Sequence, residues 1–272
     1  IKSTDVYNQL LTDPTKFYLI DIRTAADYAV SHIEGAVQVD AGNVLTHLEG
    51  MDVSSYEKIV IVCYTGQTAG WVTSLLRLLG YKNVYDMKWG MCSWNDATAD
   101  KWKNTVANGN SYWSQFNTTP TPKDAMGSMP TLSTGQTTGL GILQARANAI
   151  FAEGFGPAKI SNADVFANLN NFYIVNYWKL DHYDVGHIPG ATQYTPKADI
   201  AYDTFLKTLP KDKTIVVYCY TGQTSAHMAA YLRLLGYDAK SLLYGCNGMM
   251  YDEMVAQGDM TVFVPATDIH DY

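Results

Sequence analysis

A six-residue segment, Cys-Tyr-Thr-Gly-Gln-Thr, occurs twice in this chain, at positions 63–68 and again at 219–224. Each copy follows a short apolar run and precedes a segment with amphipathic helical spacing. Other segments recur at an offset of about 155 residues, and the six residues at 76–81 return unchanged at 232–237. An offset held across so many segments indicates an internal duplication, and 272 residues are enough for two domains of ordinary size.

Short apolar runs alternate with helical patterns in both halves. The runs at 17–20 and 59–62 have few polar interruptions, as strands buried on both faces do. The alternation predicts an α/β fold: two domains, each with a mostly parallel central sheet and helices on both faces. Sites in such sheets lie at the carboxyl ends of the strands, which is where Cys63 and Cys219 fall.

The repeat also divides the chain. We place the first domain at residues 1–117, a linker and connecting helix at 118–156, and the second domain at 157–272. The linker begins with a stretch rich in Thr, Pro, Ser and Gly, and its second part, 141–153, has apolar residues at helical spacing, which predicts the connecting helix.

Each repeated segment is suited to holding a thiolate. A free cysteine has a pKa of about 8.5, and only its thiolate is a good nucleophile. A short loop can point several backbone N–H groups at the sulfur, and the following helix adds its positive end. We therefore expect Cys63 and Cys219 to be nucleophiles, although a small buried cysteine at a strand end is the structural alternative. The predicted loops that hold the sulfur are Tyr64, Thr65, Gly66, Gln67, Thr68 and Tyr220, Thr221, Gly222, Gln223, Thr224.

Three motifs carry a family resemblance. They are Asp21-Ile22-Arg23 with the segment 32–36 (matched in part by 187–191), the Cys-x-x-Gly-x-Thr loop, and the segment 90–94, which we align with 247–251 in the second half. With these motifs in this order, the chain resembles the tandem-domain rhodaneses, which are sulfurtransferases of the thiosulfate and mercaptopyruvate type. The resemblance implies that a cysteine persulfide passes sulfane sulfur from thiosulfate, polysulfide or a protein persulfide to a thiol or cyanide acceptor. It also implies that the protein uses no metal and no organic cofactor.

The side chains of both loops are neutral, which favours a donor of low charge such as polysulfide or a persulfide on a protein. Lys88 and Arg23 are candidate contacts for an anionic donor, and Arg23 also fits a structural ion pair with an aspartate. Cys92 and Cys246 are candidate resolving thiols, with burial as inert thiols the alternative. Tandem rhodaneses usually keep one active cysteine, but we expect both Cys63 and Cys219 to carry sulfur.

The sequence also bears on other functions. A rhodanese-like module that carries sulfur to a partner protein, or only binds it, is the main alternative to a turnover enzyme. A phosphatase-like loop would be longer and end in arginine, so that chemistry is disfavoured. A net charge of −7 disfavours nucleic-acid binding, no apolar run reaches roughly 18 residues, and the histidines lack metal-ligand spacing. Few charged residues and many Asn, Thr and Tyr suggest an exported, periplasmic protein, with a cytoplasmic location as the alternative.

Overall fold

The computed structural model describes all 272 residues, which form two compact units. The first unit comprises residues 1–104, 137–156 and 263–272, and the second comprises 105–136 and 157–262. The compact units are therefore not continuous in sequence, whereas the domains predicted from the repeat are.

Nine strands form two all-parallel sheets, one in each unit. The four-stranded sheet has the order β2-β1-β3-β4, and the five-stranded sheet has the order β5-β9-β8-β6-β7. The strands are β1 Phe17–Asp21, β2 Val37–Gln38, β3 Lys58–Val62, β4 Val84–Asp86, β5 Lys159–Ile160, β6 Phe172–Asn176, β7 Thr192–Gln193, β8 Thr214–Tyr218 and β9 Ala239–Leu242.

Eleven α-helices accompany the sheets. They are α1 Ser3–Thr12, α2 Ala25–Val30, α3 Val44–Glu49, α4 Gln67–Leu78, α5 Asp100–Ala107, α6 Gly139–Glu153, α7 Asn162–Ala167, α8 Leu180–Val185, α9 Gln223–Leu234, α10 Tyr251–Gln257 and α11 Pro265–Asp268. The helix predicted at 141–153 is confirmed as α6, which lies in the first unit. No helix in the structure combines the length and apolar character needed to cross a bilayer.

The sheets are covered on both faces, as the apolar runs predicted. In the second unit Ile174 and Val216 pack into one apolar cluster, and their neighbours along the strands, Val175 and Val217, pack into another. Because successive side chains of a strand point to opposite faces, two clusters require packing on each side of the sheet. The α/β fold class with two similar domains is confirmed.

The strand register brings both cysteines to the carboxyl edge of their sheets. Asp21 at the end of β1 pairs with Val62 at the end of β3, and Asn176 at the end of β6 pairs with Tyr218 at the end of β8. Cys63 and Cys219 are the next residues after β3 and β8. The side chains that end β1 and β6 therefore lie beside the strand that leads into each cysteine loop.

Candidate active site

The first loop wraps backbone N–H groups around the sulfur of Cys63. Gly66 precedes α4 with a φ of +80°, a left-handed conformation that glycine adopts without strain, and this turns the chain back towards the sulfur. The N–H of Ala69 lies 3.4 Å from Sγ. Cys63 is only 5% exposed. Burial raises the pKa of its thiol, and the N–H groups of Ala69, Thr65, Gly66 and Thr68 act in the opposite direction without cancelling that rise.

The second loop repeats this arrangement and adds hydroxyl groups. The N–H groups of Gly222 and Ser225 lie 3.2 Å and 3.3 Å from Cys219 Sγ. The Ser225 hydroxyl lies 3.6 Å from the same sulfur and hydrogen-bonds at 2.8 Å with Ser241, which donates to the carbonyl of Gly222. Because Ser241 gives its proton to Gly222, the Ser225 hydroxyl donates to Ser241 and accepts from the thiol of Cys219. Ser225 occupies the place of Ala69 and was not predicted from the sequence.

The remaining loop residues mainly shape the backbone. Thr65, Gln67, Thr221 and Gln223 are buried, and the Gln67 amide donates to the Thr65 hydroxyl at 3.1 Å. The Thr221 hydroxyl accepts from the backbone N–H of Gln223 at 3.2 Å. Tyr64 and Tyr220 are partly exposed and form the rim of each loop, while Thr68 is partly exposed and Thr224 is exposed.

A segment that begins with a glycine forms hydrogen bonds with the backbone of each cysteine loop. The N–H groups of Met91 and Cys92 donate to the carbonyls of Cys63 and Tyr64, at 2.8 Å and 3.0 Å. A Cβ on Gly90, whose φ is +60°, would lie 2.3 Å from the Cys63 carbonyl oxygen, so only glycine allows this approach.

The equivalent segment of the second domain is 245–249, which corrects the alignment of 247–251 with 90–94. The N–H groups of Cys246 and Asn247 donate to the carbonyls of Cys219 and Tyr220, both at 3.1 Å. A Cβ on Gly245 would lie 2.2 Å from the Cys219 carbonyl oxygen. The backbone contact needs the glycine and not the tryptophan at the end of the first segment, and Met249 stands in the place of Trp94.

The rim of the first loop carries charge. The Tyr64 hydroxyl donates to Asp27 at 2.8 Å. The guanidinium of Arg23 lies 5.1 Å from the centre of the Tyr64 ring, and the ammonium of Lys101 lies 3.9 Å from it. Arg23 also forms a buried ion pair with Asp21 at 2.6 Å, both side chains being 1% exposed, so the expected ion pair is present. Lys101 was not predicted from the sequence.

Lys88, the second predicted anion contact, lies elsewhere. Its ammonium is 4.6 Å from the centre of the Trp89 ring, and it lines a cavity of about 160 Å³ together with Thr4, Asp268 and His270. Partial burial lowers the pKa of Lys88, and the charge of Asp268 opposes that shift. The structure thus surrounds Lys88 with residues outside the cysteine loop.

The rim of the second loop is aromatic. Trp178, in the place of Arg23, stacks on Tyr220 with ring centres 5.4 Å apart. The Tyr220 hydroxyl hydrogen-bonds with Nδ1 of His182 at 2.5 Å, and Nε2 of His182 with Asp259 at 2.8 Å. His182 was missed in the sequence, although the offset of 155 residues relates it to Asp27. Nothing local in the sequence indicates Asp259, which lies 77 residues further along.

The two extra cysteines are completely buried. All four cysteines are free thiols. Burial raises the pKa of Cys92 to about 12, and the nearby Cys63 adds to the shift. Burial, and then the nearby Cys219, raises the pKa of Cys246 well above its usual range. These pKa shifts disfavour the thiolates that resolving thiols would need, and the assignment of a resolving role stays a prediction.

Comparison with known proteins gives consistent family matches. The Rhodanese-like domain family matches residues 3–97 and 174–250. A stretch covering 34% of the chain is 30% identical, over 91 residues, to the thiosulfate sulfurtransferase GlpE of Pseudoalteromonas translucida, and it spans 85% of that protein. A second relative is YrkF of Bacillus subtilis, named as a candidate sulfur carrier, which is 23% identical over 96 residues. That match covers 35% of this chain and 51% of YrkF, about half its length.

Solved structures include a rhodanese-like domain protein from Staphylococcus aureus, 23% identical to this chain with a TM-score of 0.30. The match covers 34% of this chain and 85% of that one. The family match includes both cysteine loops and extends over more than half of the sequence. This chain therefore belongs to the rhodanese-like domain family, with one matched region in each half.

Proposed function

We propose that this protein is a sulfurtransferase that carries sulfane sulfur as a persulfide on Cys63 and on Cys219. The observation that supports this proposal most directly is the set of backbone N–H groups directed at each sulfur. Such groups stabilise a thiolate, and they can equally stabilise the terminal sulfur anion of a persulfide. The family and the name of its GlpE relative are consistent with this chemistry.

The reaction is a double displacement. The cysteine thiolate attacks the sulfane sulfur of the donor, a new S–S bond forms, and the bond within the donor breaks with its electron pair leaving on the donor product. The acceptor then attacks the outer sulfur of the persulfide, and the cysteine leaves again as a thiolate. Covalent catalysis of this kind gives ping-pong kinetics.

The loop surroundings support a donor of low charge, such as polysulfide or a persulfide on a protein. No loop side chain is cationic. Arg23 is held by Asp21, and Lys88 lies over Trp89. An anionic donor such as thiosulfate would be held mainly by backbone N–H groups, with Lys101 and Arg23 beyond Tyr64 at the first loop.

Turnover measurements test the proposal. The wild-type protein, Cys63→Ser, Cys219→Ser and the double variant are assayed with thiosulfate, mercaptopyruvate and polysulfide, using cyanide or a small thiol as acceptor. We expect each single variant to keep part of the activity, the double variant to have none, and polysulfide to be the better donor. Complete loss in one single variant with no loss in the other contradicts the two-site proposal, and a clear preference for thiosulfate contradicts the donor class.

A sulfur carrier without fast turnover is the second candidate. Two observations favour it: both cysteine residues are at most 5% exposed, and burial raises the pKa of Cys63, which lowers its thiolate fraction. A carrier would become persulfidated and yet turn over slowly with every small donor and acceptor. Fast turnover with any small pair of substrates contradicts it.

A further inference from the structure

Behind the rim of the second loop, three side chains form a continuous hydrogen-bonded chain. The Tyr220 hydroxyl lies 2.5 Å from Nδ1 of His182, and Nε2 of His182 lies 2.8 Å from Asp259. His182 is buried at 4% exposure, and Asp259 also accepts from the ammonium of Lys179 at 3.1 Å. Tyr220 directly follows Cys219 in the sequence. The hydrogen-bonded series of side chains therefore ends at the residue next to the one expected to carry sulfur.

The surroundings assign the protons in this chain. Hydrogen bonds and charge from Lys179 and His182 lower the pKa of the Asp259 carboxyl, which keeps it ionised and able only to accept. With a neutral imidazole, this places the His182 proton on Nε2, facing Asp259, and makes Nδ1 the acceptor for the Tyr220 hydroxyl. The order is the one in which a carboxylate orients an imidazole and the imidazole accepts a proton from a hydroxyl.

The first loop lacks this arrangement. The Tyr64 hydroxyl donates directly to the carboxylate of Asp27, which stands in the place of His182. Hydrogen bonds from Thr24 and then from Tyr64 lower the pKa of Asp27, so that carboxylate is a weak proton acceptor. Both loops therefore contain the cysteine and the tyrosine. They differ in the group that accepts the hydrogen bond of the tyrosine hydroxyl, which is Asp27 at the first loop and His182 at the second.

We propose that Tyr220 takes the proton of a thiol acceptor while that thiol attacks the persulfide on Cys219, and that Tyr220 passes its own proton to His182. This inference rests on the proposed sulfur transfer at Cys219. Tyr220 would contact the acceptor, whereas His182 and Asp259 act through it and are positioning residues. The acceptor class assigned to the second site is a neutral thiol, either small or on a protein.

The step balances. The S–H bond of the acceptor breaks, its proton goes to the Tyr220 oxygen, and the Tyr220 proton goes to Nδ1 of His182. The acceptor sulfur forms a bond to the outer sulfur of the persulfide, and the bond between that sulfur and Cys219 Sγ breaks with its electron pair on Sγ. The new persulfide leaves as an anion, and His182 returns its proton to solvent through Tyr220.

The environment of Tyr220 suits a group that relays a proton without ionising beforehand. Burial raises its pKa, the backbone N–H of Lys179 acts against that shift, and Cys246, Asp259 and Asp181 add to it. Tyr220 therefore stays a neutral phenol. Stacking on Trp178 holds the ring, while the hydrogen bond to His182 fixes the direction of the hydroxyl.

Single-turnover discharge tests the relay in the Cys63→Ser background. Cys219 is loaded with polysulfide, excess donor is removed, and discharge is followed with 2-mercaptoethanol, which must lose a proton, and with sulfite, which at pH 8 need not. His182→Asn keeps an oxygen near the position of Nδ1 that can accept from Tyr220 but cannot take its proton. His47→Asn is the matched control, because His47 forms a similar 2.8 Å pair with Tyr18 in the first unit.

We expect His182→Asn to slow discharge to the thiol about 100-fold at pH 8 and to leave discharge to sulfite at the same pH unchanged. The thiol rate of this variant should rise about tenfold per pH unit, because the attacking thiolate then forms only by ionisation in solution. Asp259→Asn, at an exposed position, should slow the thiol rate less, by about tenfold. His47→Asn should change neither rate.

Three results would overturn the relay. Equal slowing with thiol and sulfite would mean that His182 only shapes the loop, and no slowing with thiol in either variant would mean that no proton passes through it. Failure to load Cys219 with polysulfide, thiosulfate or mercaptopyruvate would contradict the proposed function itself and remove the basis of the relay, so the loading step separates the two failures.

Discussion

At the scale of single residues, the reactivity of Cys63 depends on two opposing effects. Burial raises the pKa of its thiol, and four backbone N–H groups lower it, with burial the larger effect. The loop therefore does not supply a standing thiolate at neutral pH. Instead it provides donors that stabilise the anion once it forms, whether as thiolate or as persulfide.

The raised pKa of Cys63 predicts its pH dependence. Because alkylation requires the thiolate, the rate of Cys63 modification by iodoacetamide should still be rising with pH above about 8.5, the ordinary pKa of a free thiol. Peptide-resolved mass spectrometry measures this rate separately for each cysteine. A rate that levels off below pH 8 would show that the N–H groups outweigh burial.

Gly90 is a second residue whose role can be tested. Gly90→Ala places a Cβ 2.3 Å from the Cys63 carbonyl oxygen and forces the loop to shift. We expect a loss of about 1–3 kcal/mol in the free energy of unfolding from this overlap, added to the cost of a left-handed φ. Gly35→Ala is the control, because Gly35 has a φ of +80° with nothing within 4 Å of the added atom. Equal losses in urea titrations of the two variants would contradict the role of close approach.

At the scale of secondary-structure elements, the ends of β1 and β6 differ most. The first carries the buried Asp21–Arg23 ion pair, whereas in the second the amide of Asn176 donates to the Tyr218 hydroxyl at 2.8 Å. The ion pair joins two residues of one segment, whereas the Asn176 bond reaches Tyr218 on β8, the strand that leads into Cys219. A neutral bond between neighbouring strands therefore takes the place of a local ion pair.

Removing one partner of the buried pair should be costly. Arg23→Met leaves the Asp21 carboxylate buried without its cation, and we expect about 3–5 kcal/mol of destabilisation in a urea titration. Lys103→Met, which breaks bridges to the largely exposed Asp96 and Asp100, should change the free energy of unfolding far less, because solvent screens these charges. Similar small losses in both variants would argue against the structural importance of the Asp21–Arg23 pair.

Sequence patterns predicted some of these elements better than others. The strand ending at Val62 and the helix from Gly139 follow from local apolar spacing, which reports burial directly. The segment at 245–249 was misaligned because the tryptophan that marks its counterpart is replaced by Met249, while the contact that matters is between backbone atoms. The chain of Tyr220, His182 and Asp259 could not be predicted, since it depends on residues brought together from distant parts of the sequence.

At the scale of the whole molecule, duplication explains why both halves could be predicted together. The constant offset implied the same parallel sheet twice, and both sheets are present. The domains drawn from the repeat place residues 105–117 in the first domain and 263–272 in the second, whereas the compact units divide these residues the other way, because local patterns do not record what a segment packs against. The two loops share a thiol and its N–H donors but differ at the rim, with charged groups at one and an aromatic stack with an imidazole at the other.

The central claim is that each half holds a sulfur-carrying cysteine. Loading the wild-type protein with polysulfide, removing the excess and locating added sulfur by peptide-resolved mass spectrometry under non-reducing conditions tests it most directly. We expect one added sulfur on Cys63, one on Cys219, and none on Cys92 or Cys246. Sulfur on only one of the two loop cysteines, on neither, or on Cys92 or Cys246 instead would contradict it.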